Sequence, residues 1–139
     1  MDLFASNVMV KADLTCLPFP ADTFDMVVCC HVLGHIPNDS DALREIHRVL
    51  RPEGWTLLTT FIAGEVTKEL PCEATSGWGW GELGDSVVRH YGMDIVQKLK
   101  DVAFHVQVLT PPQVIQANEW TYLRIRKGDD PILQCSKQR

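Results

Sequence analysis

The sequence predicts an α/β protein with an open, mostly parallel β-sheet and an antiparallel hairpin at its C-terminal edge. Short apolar runs alternate with segments of helical period, which is the strand–helix–strand order of parallel sheets. Two alternating apolar–polar runs then follow each other near the C-terminus, as in a hairpin. The chain has 139 residues, 45% hydrophobic and 22% charged, so it can bury a core without disulfide bonds.

Charge and cysteine content limit the function classes. Thirteen Lys and Arg against 18 Asp and Glu give a formal net charge of -5. That balance argues against a nucleic-acid partner, because phosphate binding needs a concentrated positive face. The five cysteines include no C-x-x-C pair, so neither a disulfide framework nor a metal site is expected. Without a leader-like N-terminus or an apolar run long enough to span a bilayer, we expect a cytoplasmic protein that binds no membrane.

The first elements are two strands joined by an extended connection. Residues 8–12 form a short, partly β-branched run that predicts a buried strand. Residues 17–20 contain two prolines, which remove backbone donors and favour an extended conformation. Residues 24–30 are a nearly continuous apolar run. Such a run predicts a strand covered on both faces.

An amphipathic helix and a third strand are predicted next. Three consecutive residues with N-cap side chains begin the helix: Asn38, Asp39 and Ser40. Its apolar residues recur at helical spacing: Leu43, Ile46, Val49 and Leu50. Residues 51–54 contain a proline and a glycine, which are expected to end the helix in a turn. Residues 55–62 predict the third strand.

A long irregular segment covers residues 63–89, and loops of this length are often functional. Its Gly–Trp–Gly–Trp–Gly motif at residues 77–81 fits either a flexible aromatic lid or a loop held by its two tryptophans. Arg89 and His90 fit either an anion-binding pair or, more commonly, solvated charges at the entry of a helix. The residues alone leave both alternatives open.

The last elements are a helix and two strands. Residues 93–101 have apolar positions spaced for a helix that packs on a sheet. Residues 104–109 and 121–126 both alternate between apolar and polar side chains and predict the closing hairpin. We expect one domain over residues 1–127 and a flexible polar tail over residues 128–139.

Several short motifs resemble those of the class I S-adenosylmethionine-dependent methyltransferases that act on small molecules. In order, they are ADL at 12–14, LPF at 17–19, TFDMVV at 23–28, HVLGHI at 31–36 and ALREIHRVLRPEG at 42–54. Further matches are LGD at 83–85, RHYGMD at 89–94 and AFHV at 103–106. Each motif alone is weak, but their order from about residue 8 to residue 108 is specific. The resemblance implies a truncated Rossmann-like fold, S-adenosylmethionine as cofactor and a small-molecule substrate.

The resemblance also implies a cofactor site at the ends of two strands. Asp13 would accept a hydrogen bond from the adenine amine, and the backbone of Leu14 would face the adenine. Cys29, Cys30 and His31 would line the methionine end of the cofactor and the substrate pocket. From the residues alone, Asp13 fits equally a cap for the following turn, and the two cysteines fit plain core positions.

His31 and His35 are the candidate catalytic residues. Imidazole titrates near neutrality and can accept a proton from a hydroxyl nucleophile. Their spacing of four residues would also suit two ligands of a metal ion if the segment were helical, but no third ligand stands nearby in the sequence. His35 equally fits a structural histidine that is hydrogen-bonded to a loop carbonyl. Methyl transfer depends mainly on alignment, so it does not require a dedicated base.

The glycine-rich turn that opens the family's cofactor site has no counterpart in this sequence. Gly34 is the first glycine and follows the second predicted strand. The chain therefore resembles the C-terminal portion of a methyltransferase, and an apolar strand edge is expected where the missing strands would lie. An exposed edge is a template for another chain. We therefore expect a homo-oligomer. Two alternatives to a self-contained enzyme remain: an inactive remnant that acts as an oligomerisation or ligand-binding module, and a site that a separate chain completes.

Overall fold

The computed structural model describes residues 9–71, 87–110 and 130–137. The elements in chain order are β1 (Phe24–Cys30), a 3-10 turn (Leu33–His35), α1 (Asp39–Val49), β2 (Leu50–Thr59), β3 (Lys68–Glu69), β4 (Arg89–His90), α2 (Ile95–Asp101), β5 (Phe104–Leu109) and β6 (Ile132–Lys137). β1 and β5 have the bounds that the sequence predicts. The predicted α/β class is confirmed.

Four strands form an open sheet in the order β1-β2-β6-β5. β1 and β2 are parallel, whereas β6 is antiparallel to both of its neighbours, β2 and β5. Three strands therefore run in one direction and β6 runs against them. This confirms the mostly parallel open sheet with an antiparallel pair of strands, β5 and β6, at one edge. The predicted hairpin partner of β5 is a different segment, residues 121–126.

The C-terminal boundary differs from the prediction. Residues 132–137, assigned to a flexible tail, form β6 in the interior of the sheet. Leu133 and Cys135 are fully buried and alternate with half-buried Gln134 and Ser136, which is the period-two pattern of a strand. The predicted strand at residues 121–126 and the tryptophan motif at 77–81 lie outside the described residues, and the single-domain organisation stays a prediction.

α1 begins and ends close to the predicted positions. The side chain of Asn38 accepts a hydrogen bond from the Asp41 backbone N–H at the N-cap. The helix ends at Val49, and β2 starts at the next residue, earlier than predicted. Residues 51–54 bulge out of β2, since Leu50 pairs with Phe24 but Trp55 pairs with Met26. A Cβ at position 54 would lie 2.8 Å from the Arg51 carbonyl oxygen, so this bulge requires glycine.

The core lies on one face of the sheet. Buried residues of β1, β2, β5 and β6 join those of both helices in one cluster, which includes Cys29, Leu43, Ile46, Leu58, Ile95, Leu99, Phe104, Leu133 and Cys135. On the opposite face of β1, Met26 and Val28 are 48% and 54% exposed. The prediction that β1 is covered on both faces is therefore wrong, because in the part of the chain that the structure describes β1 lies at the edge of the sheet and both helices pack on the other face.

The segment before β1 is not a strand of the sheet. Residues 9–12 lie outside all six strands, and Met9 is fully exposed, so the predicted strand at residues 8–12 is not formed over its described part. The following connection packs on α1 instead. The Leu17 N–H donates to Glu45 Oε2 at 2.7 Å, and Arg48 donates to the Leu17 and Phe19 carbonyls at 3.1 and 2.8 Å.

Candidate functional site

β1 and β2 end side by side at one edge of the sheet. Cys30 pairs with Thr59, and the His31 N–H donates to the Thr59 carbonyl at 2.8 Å. In open α/β sheets, ligands bind outside the carboxyl ends of the strands. Cys30 and His31, which we call the β1 terminus, therefore lie where a ligand site is expected.

His31 has an unusual backbone conformation. Its φ angle is 53°, in the left-handed region, and its side chain is exposed. That conformation costs a non-glycine residue roughly 1 kcal/mol. Residues held in sparsely populated backbone regions cluster at active sites and ligand clamps. The conformation of His31 thus fits a functional position.

The two adjacent cysteines lie in different environments. Cys29 is buried in the core, whereas Cys30 points to the opposite face and is exposed. Burial, with a smaller contribution from Cys30, raises the pKa of Cys29 to about 12. The Cys29 thiol therefore stays protonated and packs as an apolar side chain, which favours the core interpretation for this residue.

His35 lies at the end of the 3-10 turn that follows the β1 terminus. Its Nδ1 is buried without a hydrogen-bond partner among the described residues. Because His31 ends a strand and His35 ends a 3-10 turn, the two do not form a helical metal-binding pair. In the part of the chain that the structure describes, no group of three potential ligands could hold a metal ion.

Asp13 and Leu14 lie in a turn that precedes β1. Thr15 donates from its backbone N–H and from Oγ1 to Asp13 Oδ1, both at 2.8 Å, and these bonds lower the pKa of the carboxyl. Asp13 therefore does cap the turn, as the residues alone allow. The carboxylate is exposed, and its Oδ2 has no donor among the described residues. Leu14 packs against the core.

Beside the 3-10 turn lies a buried group of charged residues that the sequence analysis missed. We call it the Asp39 cluster: Asp39, Arg89, Tyr91 and Lys98. Asp39 Oδ2 accepts from Tyr91 Oη at 2.6 Å and Lys98 Nζ at 2.7 Å, and Arg89 Nη1 lies 3.3 Å from it. Arg89 is only 6% exposed, so neither the anion-binding nor the solvated interpretation describes it. Arg89 and Tyr91 lie two residues apart in the extended segment that starts with β4, and both are buried. This alternate spacing was the sequence signal that could have predicted a shared buried face.

The pKa values in the Asp39 cluster favour full ionisation of Asp39. Burial alone would raise its pKa, but hydrogen bonds from Lys98 and Tyr91 and the charges of Arg89 and Lys98 outweigh burial, so the pKa is lowered. Burial and the hydrogen bond to Asp39 raise the pKa of Tyr91. Tyr91 therefore remains a neutral hydroxyl donor to an ionised carboxylate.

Apolar and aromatic surface adjoins the β1 terminus. Phe61, just beyond β2, is 52% exposed and meets the His90 ring edge-on with the centroids 5.0 Å apart. Val32, which follows His31, is 41% exposed. The sequence analysis did not single out Phe61 or Val32, because each is an unremarkable apolar residue at the end of a predicted strand.

A surface pocket of about 460 Å³ lies between α1 and α2, away from the β1 terminus. It is lined by Ser40, Arg44, Asp94, Gln97, Lys98, Asp101 and Val102. Its cations already have carboxylate partners, Asp41 for Arg44 and Asp39 for Lys98. No predicted site residue lines it. Among the described residues there is also no helix long and apolar enough to cross a membrane.

Comparison with known proteins agrees with this architecture. The family model of the methyltransferase domain matches residues 2–58. Malonyl-[acyl-carrier protein] O-methyltransferase of Halorhodospira halophila is 37% identical over 81 residues, covering 58% of this chain and 25% of that protein. The mitochondrial arginine-hydroxylase NDUFAF5 of Danio rerio is 40% identical over 63 residues, covering 45% and 19%. The chain thus spans a quarter or less of the length of these curated relatives.

Similarity to a solved structure extends over nearly the whole chain. The 1,6-didemethyltoxoflavin-N1-methyltransferase of Burkholderia thailandensis, solved with 1,6-didemethyltoxoflavin and S-adenosylhomocysteine, matches with a TM-score of 0.61 and 16% identity. The match covers 94% of this chain and 50% of that one. The chain therefore has the Rossmann-like fold of this solved structure, and its residues 2–58 match the family model of the methyltransferase domain.

Proposed function

We propose that this chain is part of an S-adenosylmethionine-dependent methyltransferase that acts on a small-molecule acceptor. The observation that carries the proposal is the β1 terminus, where two parallel strands end together and an exposed histidine is held in a left-handed conformation. The match to the methyltransferase domain over residues 2–58 supports the same chemistry. The exposed Phe61 and Val32 beside it suit an acceptor with an apolar part.

The chain offers donors and acceptors for both ends of the cofactor. Asp13 Oδ2 would accept from the adenine amine, beside the backbone of Leu14. Cys30 and His31 would lie at the methionine end, while Cys29 supports them from the core. When bound, S-adenosylmethionine supplies a sulfonium whose methyl carbon is attacked by the acceptor, leaving S-adenosylhomocysteine.

His31 is the proposed proton acceptor for a hydroxyl acceptor molecule. Its exposed imidazole stands at the strand end, within reach of a bound acceptor, and an imidazole nitrogen can accept a proton from a hydroxyl group. His35 would act with it, because its Nδ1 is buried and unpaired among the described residues. Most of the rate would still come from aligning the acceptor with the methyl carbon, so loss of His31 should slow the reaction without abolishing it.

Calorimetry with S-adenosylhomocysteine tests the proposal. Asp13→Asn keeps an oxygen for the two Thr15 bonds but replaces the free Oδ2 with a donor, which cannot accept from the adenine amine. We expect the turn to survive and the affinity to fall about tenfold, the effect of losing one charge-assisted hydrogen bond. Asp25→Asn is the matched control, since it removes the same charge at the other end of β1.

Two outcomes would contradict the proposal. Absence of binding by the wild-type chain at millimolar S-adenosylhomocysteine would exclude the cofactor site in this chain. Equal affinities for the wild type and Asp13→Asn would exclude the adenine role of Asp13.

The edge of β1 favours a second function, self-association. Met26 and Val28 expose about half of their apolar surface, and on the side of β1 away from β2 no strand pairs with it among the described residues. An exposed apolar edge strand pairs readily with another chain, and a symmetric pair of edges closes into a dimer. We infer that the chain forms a homo-oligomer through β1. A methyltransferase-fold remnant without catalytic activity would form the same homo-oligomer.

Light scattering after size-exclusion chromatography measures this association. The wild type should elute above the monomer mass, and Val28→Lys should shift it to the monomer because a charge on the edge strand opposes pairing. Gln107→Lys on β5, the opposite edge of the sheet, is the matched control and should leave the mass unchanged. A monomeric wild type at micromolar concentration would overturn the inference.

A further inference from the structure

The buried side chain of Arg89 binds the segment that links the β1 terminus to α1. Its guanidinium donates to the carbonyl oxygens of Ile36 and Pro37 at 2.6 and 2.8 Å, one from each terminal nitrogen. The Nε of the same group donates to Glu69 Oε1 at 2.9 Å. Every nitrogen of the guanidinium is therefore used, and two of them hold backbone oxygens that follow His35 directly.

The backbone of Val88, the residue before β4, binds the same segment. The Val88 N–H donates to the Gly34 carbonyl at 2.8 Å. Within the segment, His35 and Ile36 donate to Val32 and Leu33, which closes the 3-10 turn. The stretch from Gly34 to Pro37 thus has three of its carbonyl oxygens bound by residues 88 and 89.

Asp39 and Glu69 fix Arg89 in turn. Asp39 Oδ2 lies 3.3 Å from Nη1, and both carboxylates stand against the same guanidinium. Lys98 adds a second cation on Asp39, at 2.7 Å. Buried Asp39 and exposed Glu69 together balance the charges of Arg89 and Lys98, so the buried guanidinium has two carboxylate partners.

We propose that Arg89 is a positioning residue for the β1 terminus. Its planar fork sets the path of residues 34–37, and this path orients His31 and His35 toward the ligand. A lysine retains the charge but not the fork, because one ammonium cannot bind two carbonyls and a carboxylate in fixed directions. The ligand-binding part of this inference rests on the proposed function.

Arg89→Lys and Lys98→Met separate positioning from general stability. Both variants disturb the Asp39 cluster, but only Arg89→Lys releases the carbonyls of Ile36 and Pro37. The full chain is compared by amide hydrogen exchange at His35, Ile36 and Val88 and by calorimetry with S-adenosylhomocysteine. Urea unfolding of each variant reports how much global stability each substitution removes.

Arg89→Lys should speed exchange at the three amides and weaken S-adenosylhomocysteine binding, each by about tenfold or more, the factor for one lost hydrogen bond to a charged group. Lys98→Met should change both less than about twofold at a similar loss of global stability. Equal exchange in the two variants would overturn the proposal, and so would faster exchange with unchanged affinity in Arg89→Lys. If the wild type binds no S-adenosylhomocysteine, the proposed function fails, while the exchange data still decide whether Arg89 holds the segment.

Discussion

The Asp39 cluster and the β1 terminus are joined by the segment from residue 32 to residue 38, but they differ in burial and in how their polar groups are bonded. In the Asp39 cluster, each charged group is buried or half-buried, and the Asp39 carboxylate has Tyr91, Lys98 and Arg89 within 2.6–3.3 Å. At the β1 terminus, the His31 side chain is exposed and its backbone is held in a left-handed conformation. One region satisfies its polar groups internally, and the other leaves them available to a ligand.

This difference separates residues that stabilise the fold from residues that serve a function. A group of charges whose hydrogen bonds are made within the protein gains little from a ligand, because its hydrogen-bonding capacity is already used. An exposed histidine in a strained conformation contributes nothing to stability that a glycine could not. Substitutions should therefore affect stability in the first region and binding in the second.

The largest effect is expected for Asp39→Asn. The amide keeps the shape of the side chain but leaves Arg89 and Lys98 without their shared counter-charge. Breaking a buried ion pair costs about 3–5 kcal/mol, a large part of the stability of a domain. Urea unfolding measures the loss, with Asp25→Asn as control, because its pair with Arg51 is exposed and worth at most about 1 kcal/mol. A loss for Asp39→Asn no larger than that of the control would contradict the structural role.

The acid dependence of stability gives a smaller effect from the same residue. The pKa of Asp39 is lowered in the folded state, so as the pH falls the unfolded chain takes up the proton first, and folding stability falls with it. The contribution is complete above the ordinary aspartate pKa of about 3.9 and is lost as the pH falls through the folded value. The free energy of unfolding, measured between pH 5 and pH 2, should fall less steeply in Asp39→Asn. A parallel pH profile would show that Asp39 titrates normally.

His31→Gly is expected to weaken ligand binding with little effect on stability, the opposite of what is expected for Asp39→Asn. Glycine adopts a positive φ angle without steric cost, so stability should change by less than about 1 kcal/mol, while S-adenosylhomocysteine affinity falls because the imidazole is lost. Unfolding and calorimetry on one sample measure both quantities. His105→Ala, on the exposed face of β5, should change neither. A loss of more than about 2 kcal/mol for His31→Gly would place the β1 terminus among the structural residues.

Ala103→Gly is the smallest and most specific test of the strain argument. Ala103 follows the C-cap of α2 and has a φ angle of 67°, with no predicted function. Glycine at this helix-terminating position should stabilise the fold by about 0.5–1 kcal/mol. Thermal unfolding measures the gain. Ala103 and His31 both have a positive φ angle. If Ala103→Gly does not raise the free energy of unfolding, a positive φ angle in this protein is no sign of strain, and the argument from the conformation of His31 fails.

The residues that the sequence predicted best are those with a strong local pattern. β1, α1 and β5 follow from apolar periodicity and from the N-cap at Asn38, which act within a few residues. The family motifs placed His31 at a strand end, where the structure has it, whereas Asp13, expected at the end of a strand over residues 8–12, lies in a turn without that strand. Their roles toward a cofactor stay predictions.

What the sequence did not predict depends on long-range contacts. Arg89 looks like a surface charge until Asp39, Glu69 and the carbonyls of residues 36–37 are brought to it from elsewhere in the chain. β6 lies in a polar part of the sequence, and only Leu133 and Cys135 show the alternation of buried side chains that is typical of a strand. No local sequence pattern therefore predicted a strand in the interior of the sheet at this position. The exposure of Met26 and Val28 reflects the place of β1 in the sheet order.

The position of β6 has a consequence for how the protein is made. β6 is the last described strand to leave the ribosome, yet it joins β2 to β5 and supplies Leu133 and Cys135 to the core. Among the described strands, β5 has no other neighbour until β6 is synthesised, and β2 presents an open edge on that side. A premature stop codon shortly before residue 132 would therefore remove few residues but leave a nascent chain with two unpaired apolar edges, the kind of species that chaperones bind and proteases degrade.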